Sequence, residues 1–468
     1  MARLQEKEYT YFTTVRGMCR QCKNIVPARV YFQDESVWQQ SMCPDCRNEP
    51  ALIAEDKDWY LKNVIKPMSD HSPLPGAKPS QNGCPHDCGL CTWHASPCLL
   101  PVIPITSDCN LRCPVCFTFN RNDKIYFKPV SEMKKTIDWL VKTRGSLDLV
   151  NITGGEPTLH PEILDIIRVC KREEIGRVTM STNGIILAKN YDLCQKLAEL
   201  ETCVVLSFNT FDGNVSIKMN GKDLVETKLK TIDNLHRAGA RMTLINVLTH
   251  DHNENAIGGI FDLMQKYNNI LSLTIQNMTY SGQGGSSFER TRHIPVDQAI
   301  QIVCEESGGM FEKDDFFARP SAHPLCYQIC YMIKNGDGYL PLARFAPPEK
   351  IQQLIQDSYL MRPGHQEVYT DAINQLYAEG KTEHLELFRT IIEKLYPPGK
   401  HLNNFQRQQV SEEFIRAIFI HAHMDEDNFD CARAMMCTDQ VPTEPGTLKP
   451  ICTYNLFDRT EDERFHVK

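Results

Sequence analysis

The sequence predicts an α/β protein built on a parallel sheet, preceded by a small metal-binding ribbon and followed by a mostly helical, cysteine-containing extension. Three observations carry this. Between residues 100 and 300, six short strand-like runs alternate with amphipathic helical segments, and right-handed crossovers turn such an order into a parallel sheet. Two C-x2-C pairs open the chain at the spacing of a metal ribbon. Beyond residue 300 the strand pattern fades and helical stripes replace it.

The 468 residues are 41% hydrophobic and 24% charged, which suits several domains. We divide them into 1–68, a ribbon or rubredoxin-like metal domain; 69–99, a linker and auxiliary iron–sulfur segment; 100–300, the α/β domain; and 301–468, the extension. A net charge of -8 argues against nucleic acid as the main partner. No apolar run reaches the roughly 18 residues of a membrane span, and Met1–Lys7 lacks the apolar centre of a signal peptide, so a cytoplasmic protein is expected. In such a chain, twenty clustered cysteines point to metal rather than disulfides.

Taken in order, Cys19-x2-Cys22 and Cys43-x2-Cys46 form a four-thiolate site for zinc or a single iron, preferred here as a structural clamp. The stretch Ser69 to Gly83, rich in Pro, Ser and Gly, reads as an irregular boundary. Next come Cys84, Cys88, Cys91 and Cys98, a set able to ligate a four-iron cluster fully. His86 and His94 read as surface residues or as neighbours of that site.

The α/β pattern starts with strands at Val102–Thr106, Leu147–Ile152, Val178–Ser181, Val204–Phe208, Met242–Val247 and Leu271–Ile275. Between them, Ser131 and Asp223 are candidate helix caps, and Gly145 and Gly239 candidate ends. Alternation alone permits a partial barrel or a doubly wound sheet, and either gathers ligands at the carboxyl ends of its strands. There stands Cys109-x3-Cys113-x2-Cys116. Three thiolates leave one iron of a cubane without a protein ligand, hence open to a small molecule. The next strand ends in Gly154-Gly155-Glu156, where the glycines admit close backbone approach and the carboxylate offers an ammonium acceptor. Ser181 and Asn183 end the third strand; Asn209, Thr210 and Asn246 are further pocket candidates.

Cys170, Cys194, Cys203 and Cys304 sit among aliphatic residues and read as core thiols. In the extension, Phe414, Ile415, Ile418 and Phe419 suggest a helical apolar stripe, and His421, His423, Asp425 and Asp427 a solvated helix end. Cys326, Cys437 and Cys452, with Cys330 or Cys431 as fourth, are candidates for a further cluster.

The Cys109–Cys116 spacing and the Gly-Gly-Glu-Pro segment behind the next strand resemble the radical S-adenosylmethionine (SAM) superfamily. The whole order of parts, with Asn428-Phe429-Asp430 and Pro450-Ile451-Cys452-Thr453-Tyr454-Asn455 in the tail, is similar to its multi-cluster group. That group includes archaeal tetraether lipid synthase and relatives proposed to make bacterial membrane-spanning lipids or to methylate the methanopterin ring. The resemblance implies a partial (β/α)6 barrel, SAM held by Gly154, Gly155, Glu156, Ser181 and Asn183, a SAM-binding [4Fe-4S] cluster, and one or two auxiliary clusters. It also implies hydrogen abstraction from an unactivated C–H bond, with a reducing donor such as ferredoxin or flavodoxin. Carbon–carbon coupling of lipid chains, with peripheral membrane contact, is the first expectation. Methyl or one-carbon transfer to a heterocycle such as a pterin is the alternative, and a zinc-ribbon nucleic-acid binder is the rival from another class. A wide apolar tunnel at the strand ends would favour lipid; a polar pocket would count against it.

Overall fold

The computed structural model describes residues 8–64, 77–89, 91–120, 124–336, 338–356, 358, 366–402, 404–444 and 446–465. Most of the expected linker, residues 69–76, and the N-terminal Met1–Lys7 lie outside them.

The ribbon is an antiparallel four-stranded sheet, β1 (Thr10–Met18), β2 (Ile25–Gln33), β3 (Ser36–Ser41) and β4 (Ala51–Ala54), paired in chain order. Its sheet alternates buried and exposed positions, as a small sheet with one dry face must. The end of β1 packs on the C-terminal tail: a Cβ on Gly17 would stand 3.2 Å from the Phe429 carbonyl oxygen, and Gln39 Nε2 donates to that same oxygen at 2.8 Å.

The second sheet starts with β5 (Leu100–Pro104), β6 (Leu147–Thr153), β7 (Ile175–Thr182), β8 (Cys203–Ser207), β9 (Met242–Leu248) and β10 (Ile270–Asn277), parallel neighbours in chain order. Each overlaps its expected run. Then follow β11 (Phe317–Ala318), β12 (Tyr327–Asn335), β13 (Gly338–Pro341), β14 (Ile415–His421), β15 (Asp439–Glu444) and β16 (Thr447–Pro450). The strand β14 lies parallel beside β10, with β12 antiparallel outside it; at the other edge β15 lies parallel beside β5. Inward residues of β5 to β10 and β14 line a common cavity, so the sheet curls around it while its edges stay unjoined: a partial barrel.

The stripe expected as a helix is therefore strand β14. Every residue from Arg416 to His421 is buried, because β10 and β12 flank it and both its faces are covered. A strand dry on both sides carries no period-two alternation, which left helix and strand indistinguishable in the sequence.

Helices cover the outer face. Val130–Arg144 buries Met133, Ile137 and Leu140, and Ile163–Cys170 buries Ile163, Ile166, Ile167 and Cys170. Each such fully buried aliphatic side chain contributes about 1.5–3 kcal/mol by leaving water. The first helix begins at Val130, not at Ser131, and Ser131 caps nothing; Gly145 ends it at φ 74°. Asp223 caps the turn before the helix Val225–Arg237 by accepting from Val225 N–H at 3.1 Å. Cys170, Cys194 and Cys203 are fully buried, and Cys304 packs partly buried against the same core. The helices Gln366–Glu379 and Thr382–Leu395 supply Leu376, Phe388 and Ile391 to a second core on the other face of β12.

Candidate active site

Strand alternation builds the cavity. From β6 it receives Leu149, Asn151 and Thr153, and from β7 Arg177, Thr179 and Ser181. Ser207 comes from β8, Thr243 and Ile245 from β9, Ser272, Thr274 and Gln276 from β10, and Phe419 and His421 from β14. The alternate residues, Val150, Ile152, Val178, Met180, Leu206, Leu244, Leu273 and Ile275, face the helices and are buried there. The cavity, about 320 Å³, thus mixes apolar side chains with hydroxyls and amides, and Arg177 also lines it.

Cys109, Cys113 and Cys116 line its mouth, in the loop after β5. That loop is held from several sides. Gly155 N–H donates to Thr106 carbonyl and Glu156 N–H to Asp108 carbonyl, both at 2.7 Å. A Cβ on Gly155 would stand 2.1 Å from the Asp108 carbonyl oxygen, and one on Gly154, which has φ +150°, 2.4 Å from that of Thr106. The two glycines are needed because strand end and cysteine loop touch backbone to backbone. Gly284 N–H donates to Cys116 carbonyl at 2.7 Å. From the tail, Arg459 donates to Phe119 carbonyl at 3.1 Å and to Asn120 Oδ1 at 2.6 Å.

Glu156 is 1% exposed, and its carboxylate is fully engaged. Oε1 accepts from Thr158 N–H, Thr158 Oγ1 and Thr182 Oγ1, and Oε2 accepts from Asn183 N–H at 2.7 Å. Burial pushes its pKa up while these donors pull against it. The carboxylate thus ties the ends of β6 and β7 together, and a ligand ammonium would meet the surrounding segment rather than free carboxylate oxygens. Asn183 donates to Asn110 Oδ1 at 2.7 Å, linking the cysteine loop to β7, and Ser181 donates to Asn151 Oδ1 at 3.2 Å. Asn209 lines the cavity. Asn246 is buried and donates to the carbonyls of Phe208 and Asn209, and Thr210 accepts from Asp212 N–H.

Burial pushes the thiols of Cys109 and Cys113 up to about 12. Three thiols gathered in one mouth, two of them held neutral by burial, fit a positively charged iron centre, which would take them as thiolates. Beside them is Lys228, which sequence reasoning missed. It is 3% exposed, donates to Ser207 Oγ at 3.1 Å, and is pulled down to about 8 by burial against the effect of Cys113. On an otherwise ordinary amphipathic helix, neither it nor the remote Arg459 carries a motif.

A second thiol group adjoins the first cavity. Cys326, Cys437 and Cys452 line a small void whose walls include Tyr327, His421, Asp439 and Ile451, all of which also line the barrel cavity. Arg433 Nε donates to Cys326 Sγ at 3.2 Å and Met424 N–H to Cys452 Sγ at 3.3 Å. Cys330 does not join them. It sits in β12 on the face opposite Tyr327, with Asp315 and Arg344 as charged neighbours. His421 and His423, expected at a solvated helix end, are buried in the wall, and Asp425 is fully buried beside His293 at 2.9 Å. Burial pulls His421 down to about 3 and His423 well below its usual value, so both are neutral. Rings stack from the cysteine loop to the void: Phe117 on His423 at 4.9 Å, His423 near His421 at 4.2 Å, His421 on Tyr327 at 4.4 Å.

In the ribbon, the sulfurs of Cys19, Cys22, Cys43 and Cys46 lie within 4.8 Å of one another, a spacing suited to one tetrahedral ion. Burial raises the Cys19 thiol, but hydrogen bonds from the Cys22 and Gln21 backbone and from Asn48 outweigh it and bring it down to about 6. Such a thiol is poised to ligate.

Cys84 and Cys88 are neighbours in the loop that also carries Cys91, while Cys98 is packed in the main core, with Arg144 and Asp439 as its charged neighbours. His86 is exposed, and His94 is buried, its Nε2 at 3.0 Å from the Cys437 carbonyl.

A curled parallel sheet with a three-cysteine loop at the carboxyl end of its first strand and a Gly-Gly-Glu segment clamping that loop defines a radical SAM enzyme. Residues 103–264 match the family model described as "Radical SAM superfamily", so this segment is a radical SAM domain. Among curated proteins it is similar to the 7,8-dihydro-6-hydroxymethylpterin dimethyltransferase of Methanocaldococcus jannaschii, 25% identical over 96% of this chain and 95% of the relative. It is also similar to a probable GTP 3',8-cyclase of Thermoplasma volcanium, 24% identical over 56% of this chain and 76% of that one. Among solved structures, Streptococcus suis SuiB bound to its precursor peptide aligns over 46% of each chain, with 20% identity and a TM-score of 0.38. Among the described residues no helix is long and apolar enough to cross a membrane.

Proposed function

We propose that this enzyme transfers a methyl or other one-carbon group to a fused, hydrogen-bonding heterocycle of the reduced pterin class. The observation that carries the reading is the belt of Asn151, Thr153, Thr179, Ser181, Ser207, Thr243, Ser272, Thr274 and Gln276 around the cavity. A flat heterocycle offers donors and acceptors along its edges to such a belt and faces to Phe117, Tyr327, Phe419 and His423. Several belt groups are already paired, Thr179 and Ser181 with Asn151, Thr243 with Ser272 and Ser207 with Lys228, and a saturated chain would forgo the further edge hydrogen bonds that a heterocycle makes with them. Coupling of lipid chains, the first expectation, lacks this support. The near full-length likeness to a pterin dimethyltransferase points the same way.

Cys109, Cys113 and Cys116 would hold the catalytic [4Fe-4S] cluster, and the cavity edge around Gly154, Gly155, Ser181 and Asn183 would hold SAM. Bound there, the pair supplies a 5'-deoxyadenosyl radical able to abstract hydrogen. Cys326, Cys437 and Cys452 would hold an auxiliary cluster behind the His421 wall. The chain's own groups orient the heterocycle through the belt, keep the wall histidines neutral by burial, and limit water around the reacting carbon.

The test is anaerobic turnover of the reduced enzyme with methyl-labelled SAM and a 6-substituted dihydropterin. Label in the pterin together with 5'-deoxyadenosine is the expected result. SAM cleavage stimulated by an acyl-chain lipid, and not by any pterin, would return the first expectation to the front.

A further inference from the structure

The loop Gly83–Cys91 carries three cysteines, and spacing alone nominates Cys98 as the fourth member of their site. The contacts of the loop point elsewhere. Asp87 shapes it, accepting from Ser80 Oγ at 2.8 Å and from the backbone N–H groups of Gln81, Asn82 and Gly83. Once shaped, it lies against the C-terminal tail. Cys431 Sγ donates to the Cys84 carbonyl at 3.4 Å, and Cys84 Sγ to the Cys431 carbonyl at 3.8 Å. The thiols of Cys431 and Cys88 are the electrostatic neighbours of the Cys84 thiol. A Cβ on Gly89 would stand 2.8 Å from the Thr447 methyl, and the His86 ring meets Phe457 edge-on at 6.3 Å. Cys84 and Cys431, 4% and 3% exposed, share one apolar cluster with Met18, Phe429 and Cys452.

Cys98 packs in a different cluster. It is 3% exposed within the main core, in the same cluster as Ile103, Met133 and Ile137. The chain leaving it runs straight into β5, with Leu99 N–H donating to Thr438 carbonyl at 3.0 Å.

We infer that Cys431, not Cys98, completes the metal site begun by Cys84, Cys88 and Cys91, so that an iron–sulfur cluster staples the loop before the barrel to the helix Cys431–Met435. The tail's thiols then divide between two sites. Cys431 serves the loop, and Cys326, Cys437 and Cys452 are left to the void behind the barrel.

The test is iron and sulfide content with Mössbauer and EPR spectra of the anaerobically purified full chain. The variants are Cys431→Ala, Cys431→Ser, Cys98→Ala and a Cys84/Cys88/Cys91→Ala reference, with far-ultraviolet ellipticity and ribbon metal content as folding controls. Cys431→Ala is expected to lose the same spectral component as the reference, about four irons. Cys431→Ser, if it keeps that component, is expected to show it with altered g-values, since an oxygen then replaces a sulfur. Cys98→Ala is expected to match the unmodified protein. Loss of the component in Cys98→Ala with an unchanged spectrum in both folded Cys431 variants overturns the assignment, as does retention of it in all three. None of these readouts depends on substrate, so they stand whichever acceptor the turnover assay identifies.

Discussion

Glu412 closes the base of the barrel, and removing it should be costly. Its side chain is 7% exposed; Oε1 accepts from Arg177, whose Nε lies at 3.2 Å, and Oε2 from Arg241 Nη1 at 2.5 Å. Arg177 is itself 9% exposed and lines the cavity. Burial raises the Glu412 carboxyl, but the two guanidinium groups outweigh it and hold it below its usual value. Glu412→Ala leaves the Arg177 charge in the protein without its counter-ion, a change that costs about 3–5 kcal/mol. For a chain of 468 residues that energy corresponds to a fall in Tm of about 3–5 °C. The double change Arg177→Met with Glu412→Leu removes the more deeply buried guanidinium together with the carboxylate, leaves Arg241, one-fifth exposed, to be hydrated, and should recover most of the loss. Differential scanning calorimetry of the three proteins reads the cycle directly. A fall below about 1 °C in Glu412→Ala, or a double variant as unstable as the single one, would show that water reaches the base of the barrel and that the pair is not buried as described.

Other perturbations separate the roles of particular groups. Gly155→Ala drives a Cβ onto the Asp108 carbonyl oxygen and must displace the cysteine loop; SAM cleavage should fall about 100-fold with little change in Tm, as measured by 5'-deoxyadenosine release. His293 is buried, which lowers its pKa, but Asp425 more than offsets this and leaves it raised. Its contribution to stability is therefore complete below about pH 6.5 and is lost as pH rises through the higher folded value. Urea midpoints of His293→Gln between pH 6 and 9 should lack the decline that the unmodified protein shows, and parallel curves would refute the assignment.

Much of the barrel was legible because its sequence obeys local rules. Strands β5 to β10 are short, rich in β-branched residues and separated by helices with one apolar face, and β6, β7 and β8 run into Gly154, Asn183 and Asn209. The cysteine loop and the ribbon pairs were legible as groups because their members stand close in sequence, and the fold gathers the four ribbon sulfurs. What escaped depends on contacts remote in sequence. Strand β14 gains its identity only from β10 and β12, and Arg459 reaches the cysteine loop from 340 residues away. His421 and His423 looked solvated because they follow a run read as helical; as the end of a buried strand they form the cavity wall instead. Cys98 stands at a plausible ligand spacing, yet the start of β5 pulls it into the core.

Pairing of β5 with β15 sets a timetable for assembly. The first strand of the barrel obtains its outer neighbour from residues 439 and 440, and Cys84 meets Cys431 across 347 residues of chain. At translation rates of about 5–20 residues per second, the early thiols leave the ribosome roughly 20–70 s before that partner. During this interval they are open to oxidation and to stray metal ions, because their packing partner has yet to be made.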